Sequence, residues 1–349
     1  MESSISPHLV CPRSRPRRIG DDYAPPYPAW SARIEPSVQQ LVIANHGVQW
    51  NDPREADAAR AYLAILQNSF KREHAVRHVD LSHCVDEAGY DTLILTSYWT
   101  DSAAFDQWCA REDIRAAERN PAPFGRFTEI LSPSSDRLET LFSTEDEMEG
   151  AGRALLERSP AIREHAYWGS ARDRLPIAQT DALAPDGELH LSAASAAEDV
   201  VIVKGHSNVA VIRSGQDWTP TTGEERRLYL ESIAPVLKAG MDFLRDEGDD
   251  CGCYLNRYMQ MLGNDGEPGE RTFGWSYWRS LTDMEQWSEH HPTHLAIFGT
   301  FMQMVQALNF DLKLRLWHEV YVLTPEQQHY VYRNCHPRTG LLRNLARQD

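Results

Sequence analysis

Three observations predict an α+β fold built on an internal duplication. The pattern strand, helix, strand, strand, helix, strand runs once through the first half of the chain and again through the second. Ser97-Tyr98-Trp99 with Gln107-Trp108 returns as Ser276-Tyr277-Trp278 with Gln286-Trp287, five identities at a single offset of 179 residues, which accident rarely supplies. A four-stranded sheet with helices on one face also leaves the other face uncovered, and two copies meeting through those faces close one core. The expected architecture is two tandem ferredoxin-like βαββαβ units around a dimeric-α/β-barrel-like core.

Taken in order, residues 1–36 carry Pro7, Pro12, Pro16, Pro25, Pro26, Pro28 and Pro36, too many for regular structure. They form an extended arm anchored by Tyr23, Tyr27 and Trp30, and its cluster Arg13, Arg15, Arg17 and Arg18 is expected to pack on acidic surface. Residues 37–138 hold the first unit. It has a strand at 41–50, a helix capped by Asn51-Asp52-Pro53 with the stripe Ala59, Leu63, Leu66 and Phe70, strands at 76–84 and 92–99 around the turn Asp86-Glu87-Ala88-Gly89, a helix at 101–118 and a strand at 124–131. Residues 139–199 belong to neither unit and contain the run Tyr167-Trp168-Gly169-Ser170-Ala171-Arg172-Asp173-Arg174-Leu175-Pro176. The second unit, 200–330, has a strand at 209–213, a helix at 224–245, strands at 254–262 and 272–278, a helix at 282–308 broken near Pro292, and a strand at 312–323; residues 331–349 are a tail.

With 349 residues and a formal charge of −16, the chain has ample core and no excess of Lys or Arg to hold nucleic acid or an anionic membrane. No apolar run reaches membrane-spanning length, and the first thirty residues lack the apolar centre of a signal peptide, so a cytoplasmic protein is expected. Its six cysteines form no CxxC pair and read as reduced, structural thiols.

Several residues invite chemistry. Phe298, Phe301, Val305 and Leu308 recur at helical spacing after Pro292, and the stripe counted back reaches His294. A histidine on a buried helix face either satisfies both ring nitrogens or holds a ligand, and the first is the commoner case. The offset of 179 maps His294 onto Arg115, so only the second copy has a histidine there. His318 lies in Leu314-Arg315-Leu316-Trp317-His318-Glu319-Val320, where alternation places it in an inward-facing apolar row. Taken alone, Arg174 in an Arg-Asp-Arg run reads as solvated surface, Ser214 beside Gly215 as a turn residue, and Glu139 as a surface carboxylate. Zinc is disfavoured, because Glu289-His290-His291-Pro292-Thr293-His294 lacks His-Glu-x-x-His spacing. A hydrolase triad from Ser214 and His318 lacks its G-x-S-x-G elbow.

Longer runs carry a family resemblance. Tyr167-Trp168-Gly169-Ser170-x-Arg172-Asp173-Arg174, Ile212-Arg213-Ser214-Gly215-Gln216-Asp217-Trp218, Gly240-Met241-Asp242-Phe243-Leu244-Arg245, His291-Pro292-Thr293-His294-Leu295, Cys335-His336-Pro337 and the start Cys11-Pro12-Arg13 resemble the haem-containing aldoxime dehydratases over nearly the whole chain; residues 264–271 diverge. The resemblance implies haem b, held non-covalently since there is no CxxCH, with His294 as proximal iron ligand and Arg174, Ser214 and His318 on the distal side, supported by Glu139. It further implies a small neutral aldoxime as substrate, bound through nitrogen to ferrous iron and dehydrated to a nitrile, with His318 as acid and base, in a homodimer. Two alternatives stay open: another haem enzyme on this scaffold, such as a peroxidase or chlorite-dismutase-like protein, and a non-catalytic haem carrier.

Overall fold

The computed structural model describes residues 1–195 and 200–345. Its strands are β1 (Ala32–Arg33), β2 (Val42–Trp50), β3 (Val76–Val85), β4 (Asp91–Trp99), β5 (Gly125–Leu131), β6 (Leu138–Phe142), β7 (Glu157–Arg158), β8 (His190–Ser195), β9 (Val200–Lys204), β10 (Val209–Asp217), β11 (Cys253–Leu262), β12 (Pro268–Trp278), β13 (Arg315–Leu323) and β14 (Gln328–Arg333). Its helices are α1 (Ala56–Phe70), α2 (Ser102–Ala110), α3 (Glu112–Arg119), α4 (Ala151–Leu155), α5 (Ser170–Arg174), α6 (Gly223–Leu228), α7 (Ala234–Glu247), α8 (Leu281–His290), α9 (Pro292–Ala307) and α10 (Leu342–Leu345). The fold is mixed α+β. None of these helices is long and apolar enough to cross a membrane.

β1 pairs with β7, and the other strands form one sheet in the order β6-β13-β10-β12-β11-β3-β4-β2-β5-β14-β9-β8. Within it, β5-β2-β4-β3 and β13-β10-β12-β11 are quartets with the same spatial order, fourth, first, third, second. They join where β11 pairs β3 at only two positions, Gln260 opposite His83 and Met261 opposite Ser82. The registers also match: Ala44 faces Ser97 in the first quartet as Ile212 faces Ser276 in the second. Tyr98, Phe127 and Leu131 from one quartet and Met259, Trp275, Tyr277 and Tyr321 from the other share a single apolar core.

The repeat extends to its loops. Asp101 accepts from the Ala104 N–H to start α2, and Ser280 from the Asp283 N–H to start α8. Each helix then ends at an extended residue, Arg111 or His291, before α3 or α9 begins. α8 is one residue longer than α2, so beyond the break the offset becomes 180 and His294 corresponds to Ile114, not to Arg115 as a constant offset predicts. The expected helix 224–245 is a continuous run from α6 to α7 through a π turn at Tyr229–Ile233, and Pro235, without an N–H for the carbonyl of Glu231, accounts for the wider turn.

Three further expectations change. β10 continues to Asp217, so Ser214 lies inside a strand and is not a turn residue. In β13 the row facing the common core is Trp317, Tyr321 and Leu323, whereas Val320 and Val322, on the same side as His318, pack among the helices. The tail boundary at 330 cuts β14, which pairs with β5 and extends the sheet; the earlier boundary at 199 falls on residues outside those described.

Both quartets use a glycine where an aromatic ring crosses the sheet. Gly47 lies opposite Phe127 and Gly215 opposite Trp317, and a Cβ would stand 1.9 Å from the Phe127 ring or 2.1 Å from the Trp317 ring. Overpacking a filled core costs typically about 1–3 kcal/mol. Gly215→Ala is therefore expected to lower stability by that amount, seen as a reduced denaturant midpoint at unchanged slope; an unmoved midpoint would show that Trp317 yields freely.

Candidate haem and distal site

The break between α8 and α9 sets the first functional side chain. Pro292 has no N–H, so the carbonyl of Ser288, four residues earlier, is left without a helical partner. His294 Nδ1 takes that carbonyl at 2.7 Å. With Nδ1–H committed to a carbonyl, Nε2 carries the lone pair, and it makes no hydrogen bond among the described residues. Burial pushes the imidazole below its ordinary pKa, although the Ser288 carbonyl opposes the shift, so the neutral, ligating form is favoured. Trp287 and Trp168 pack edge-on against the ring at 4.8 and 5.5 Å.

α9 itself is apolar yet uncovered. Of its sixteen residues only Met304 and Val305 are buried, and Leu295 and Phe298 are 42% and 45% exposed. The stripe expected to face the core thus lacks protein cover in its first half. An exposed apolar face beside a neutral imidazole with a free nitrogen suits a flat apolar group with a metal centre.

A second cluster lies on the helix-covered face of the second quartet. β13 pairs with β10 on one side and β6 on the other, which places Ser214 directly opposite His318 and Glu139 opposite Val320. Arg174, at the end of α5, reaches into the same place. It donates from Nε to Glu139 Oε2 at 2.6 Å and from Nη1 to the Glu164 carbonyl at 2.6 Å and Ser170 Oγ at 3.0 Å. His318 Nε2 stands 2.6 Å from Arg174 Nη2 and 3.1 Å from Glu139 Oε1. Neither Arg174 nor Glu139 is at the surface, contrary to the reading of each residue in isolation. Burial alone would raise the Glu139 pKa, but Arg174 and His318 outweigh it and hold the carboxyl below its usual range.

This arrangement has chemical content. His318 Nε2 lies between a group that can only donate and one that can only accept, so bare Nε2 accepts from Arg174 and protonated Nε2 donates to Glu139. A proton can enter or leave without orphaning a buried partner. The Ser214 hydroxyl makes no hydrogen bond among the described residues and is half-buried beside it.

The loop 164–174 ties the two clusters together, with Trp168 on His294 and Ser170 on Arg174. The basic arm does pack on acidic groups: the Arg18 amide donates to Asp173 Oδ2 at 3.0 Å and its guanidinium to Glu289 at 3.1 Å, while Arg172 holds Glu285 at 2.8 Å. Gly169, at φ +80°, gives the Arg18 side chain room, since a Cβ would lie 2.5 Å from its Nε. Sequence reading passed over Ser288, Ser170 and Trp168 as participants. The signal for Ser288 was available, because a proline four residues on always frees a carbonyl.

The equivalent place in the first quartet is filled. Register puts His46 where Ser214 stands and Thr128 where His318 stands, and Ile114 replaces His294. Ile114 is buried with Tyr62, Trp108 and Phe105. His46 is buried against Trp108, ring centroids 5.4 Å apart, so no comparable apolar surface is open there.

A neutral histidine with one free nitrogen on a largely uncovered apolar helix, in the same chain as a buried cluster of cation, carboxylate and second histidine, is a donor set that suits a haem protein acting on a small ligand. Residues 44–341 match the model of the haem-containing dehydratases, and the chain belongs to that family. It is 42% identical to the aliphatic aldoxime dehydratase of Pseudomonas chlororaphis over 99% of both chains. It is 29% identical to the phenylacetaldoxime dehydratase of Bacillus sp. (strain OxB-1), over 93% of this chain and 94% of that one. A crystal structure of an aldoxime dehydratase in complex with butyraldoxime superposes with a TM-score of 0.94 at 42% identity, covering 98% of this chain and 96% of the other.

Pro292→Ala returns an N–H to compete for the Ser288 carbonyl, so His294 loses its orientation and haem transfers faster to apomyoglobin, whereas His294→Ala folds but loses the Soret band altogether. An unchanged transfer rate in Pro292→Ala would remove the carbonyl from this role. His165, buried beside Arg174 with Nε2 unpartnered, has its pKa pushed down to about 4 by burial and then by Arg174. The unfolded chain binds that proton from about pH 6.5 and the folded chain only near 4, so stability is complete above 6.5 and declines through this window. His165→Asn should flatten that limb in thermal unfolding from pH 7 to 4, and an identical limb would assign it to other groups.

Proposed function

We propose that the chain removes water from a small neutral aldoxime, R–CH=N–OH, to give the nitrile R–C≡N. The observation that carries this reading is the buried Arg174, Glu139 and His318 cluster opposite Ser214, found in a chain of a haem-containing dehydratase family. His294 is the residue that would hold haem b, through Nε2, which has no other partner among the described residues. When bound and ferrous, haem supplies a Lewis-acidic, electron-donating iron for the oxime nitrogen.

The remaining work falls to side chains. Hydroxide is a poor leaving group, so the oxime oxygen must be protonated as the N–O bond breaks, and the carbon must give up its hydrogen to complete the triple bond. Ser214 donates to the oxygen and holds it, joined by Arg174 through the Nη2–H that is released when protonated His318 turns to Glu139. His318 delivers the proton to that oxygen, and the C–H proton restores it, so one proton enters and one leaves for each water released. Glu139 steadies both Arg174 and the imidazolium form of His318. The aliphatic relatives at 42% identity and the co-crystallised butyraldoxime support a short aliphatic chain as the first substrate to assay.

The same reading takes the two quartets as ferredoxin-like copies sharing a barrel-like core, supported by their common strand order and registers. It includes a homodimer, on the family resemblance, and a cytoplasmic location, which the six unpaired cysteines suit.

The test is anaerobic turnover of butyraldoxime by the dithionite-reduced protein. General acid catalysis is typically worth about 10²–10⁴-fold, so His318→Asn is expected to keep haem and the substrate-induced spectral change while losing turnover on that scale. Arg174→Ala and Ser214→Ala should alter the substrate-bound spectrum as well. Single turnover of His318→Asn at the wild-type rate would remove His318 from the reaction.

A further inference from the structure

On the core side of the sheet, directly behind Ser214 and His318, lies a charged network that the reaction does not use. Arg213 and Glu319 are register partners in β10 and β13, one step along from the Ser214 and His318 pair, and both are buried. Their partners come from the other quartet. Arg213 Nη1 stands 2.8 Å from Asp80 Oδ2 on β3 and donates to Tyr98 Oη on β4 at 2.6 Å. Tyr98 in turn donates to Glu319 Oε1 at 2.6 Å, and the Ala151 N–H at the start of α4 takes Glu319 Oε2 at 2.5 Å. Gly150, at φ +54°, permits that approach, since a Cβ there would meet Glu319 Oε2 at 2.3 Å.

The arrangement has an internal counterpart. Tyr277, the repeat equivalent of Tyr98, donates to Glu129 Oε2 at 3.1 Å, and Glu129, the equivalent of Glu319, is paired with Arg257 at 2.7 Å. Each quartet thus reaches across the core and grips the fourth strand of the other with a buried tyrosine and carboxylate. The two grips differ in what stands behind them. Beyond Glu129 lies Thr128 in the filled quartet; beyond Glu319 lies His318.

We propose that Tyr98, on the quartet without the haem histidine, is a positioning residue for the distal pair: by bridging Arg213 and Glu319 it fixes β10 against β13, and so sets the spacing of Ser214 and His318. A side chain one step along a strand points to the opposite face, so any shift of the Arg213 and Glu319 backbones is passed to Ser214 and His318 without either losing a contact of its own. This inference rests on the catalytic reading of His318 given above.

The experiment compares Tyr98→Phe with Tyr277→Phe in the haem-loaded enzyme, because both remove one buried hydroxyl from equivalent tyrosine–carboxylate bonds. A 1 Å misplacement can cost about 10²-fold. Tyr98→Phe is expected to lower kcat by about tenfold or more with KM changed less than about twofold, a part of that limit. It should also shift or split the C–O stretch of the ferrous carbonyl complex, which reads the polarity of the distal groups. Tyr277→Phe is expected to lower the melting temperature similarly yet keep kcat and the C–O stretch. Should Tyr98→Phe not accumulate in soluble form, Asp80→Asn, which keeps the shape and loosens Arg213, carries the same comparison. Equal kcat and C–O behaviour in the two tyrosine variants overturns the proposal while leaving the site reading intact, provided that His318→Asn is inactive; an active His318→Asn sinks the site reading itself.

Discussion

Strand β13 is the constraint on which the rest depends. It is hydrogen-bonded to β10 on one side and β6 on the other, so one register decides at once that Ser214 faces His318 and that Glu139 arrives one residue pair further along. A slip by one residue would turn every side chain of the strand to the other face and exchange His318 with Glu319. Trp317 over Gly215 and the Tyr98 bridge between buried Arg213 and Glu319 both oppose such a slip from the core side. The distal groups are therefore as rigid as the sheet. Only Arg174 comes from outside it, and its guanidinium is fixed by Glu139, the Glu164 carbonyl and Ser170.

Burying Arg174 with Glu139 is not primarily a source of stability. Removing two charges from water costs several kcal/mol per ion, and their attraction roughly returns that cost when geometry is good. What the pair provides is geometry: a bidentate guanidinium has one plane, and the His318 ring is held against it at 2.6 Å. Asp173, next in sequence, is buried as well, engaged by Tyr167 and by the Arg18 amide, so the C-terminal end of the short helix α5 is held through two successive residues. The arm that supplies Arg18 also reaches α8 through Glu289. The stretch around Arg18, outside every helix and strand, thus links the helix carrying Arg174 to the helix that precedes His294.

Much of this was legible in the sequence, and the gaps have physical causes. Periodicity gave the helices of both units through their apolar stripes, and the strands showed as short apolar runs bounded by turn residues. The break at Pro292 was legible because proline cannot continue a helix. The burial of Glu139 and Arg174 was not, since a lone carboxylate and an Arg-Asp-Arg run look the same in solvent as in a paired interior; only long runs shared with a family distinguished them. Ser214 read as a turn residue because Gly215 follows it. That glycine serves the Trp317 ring and does not end the strand. The side of His318 was misjudged because β13 is apolar on both faces, with Trp317, Tyr321 and Leu323 toward one core and Val320 and Val322 toward another, and alternation cannot rank two buried faces.

The duplication also explains how one copy became the site and the other its support. Both had a sheet face under helices and both had a break before the second helix. In the first copy Ile114 takes the position of His294 and is sealed among Tyr62, Phe105 and Trp108, so nothing flat can enter. In the second the same position lies on a helix whose first half is largely uncovered, and that helix restarts on Pro292 where the first copy has Glu112. That proline leaves the carbonyl of Ser288 free, and the carbonyl holds Nδ1 of His294, so that the lone pair is on Nε2. A histidine at this position without the proline would compete with a backbone N–H for the same oxygen. The arrangement thus needs two changes together, the histidine and the broken helix before it: without the break the imidazole would compete for its carbonyl, and without the histidine the Ser288 carbonyl would have no ring to hold.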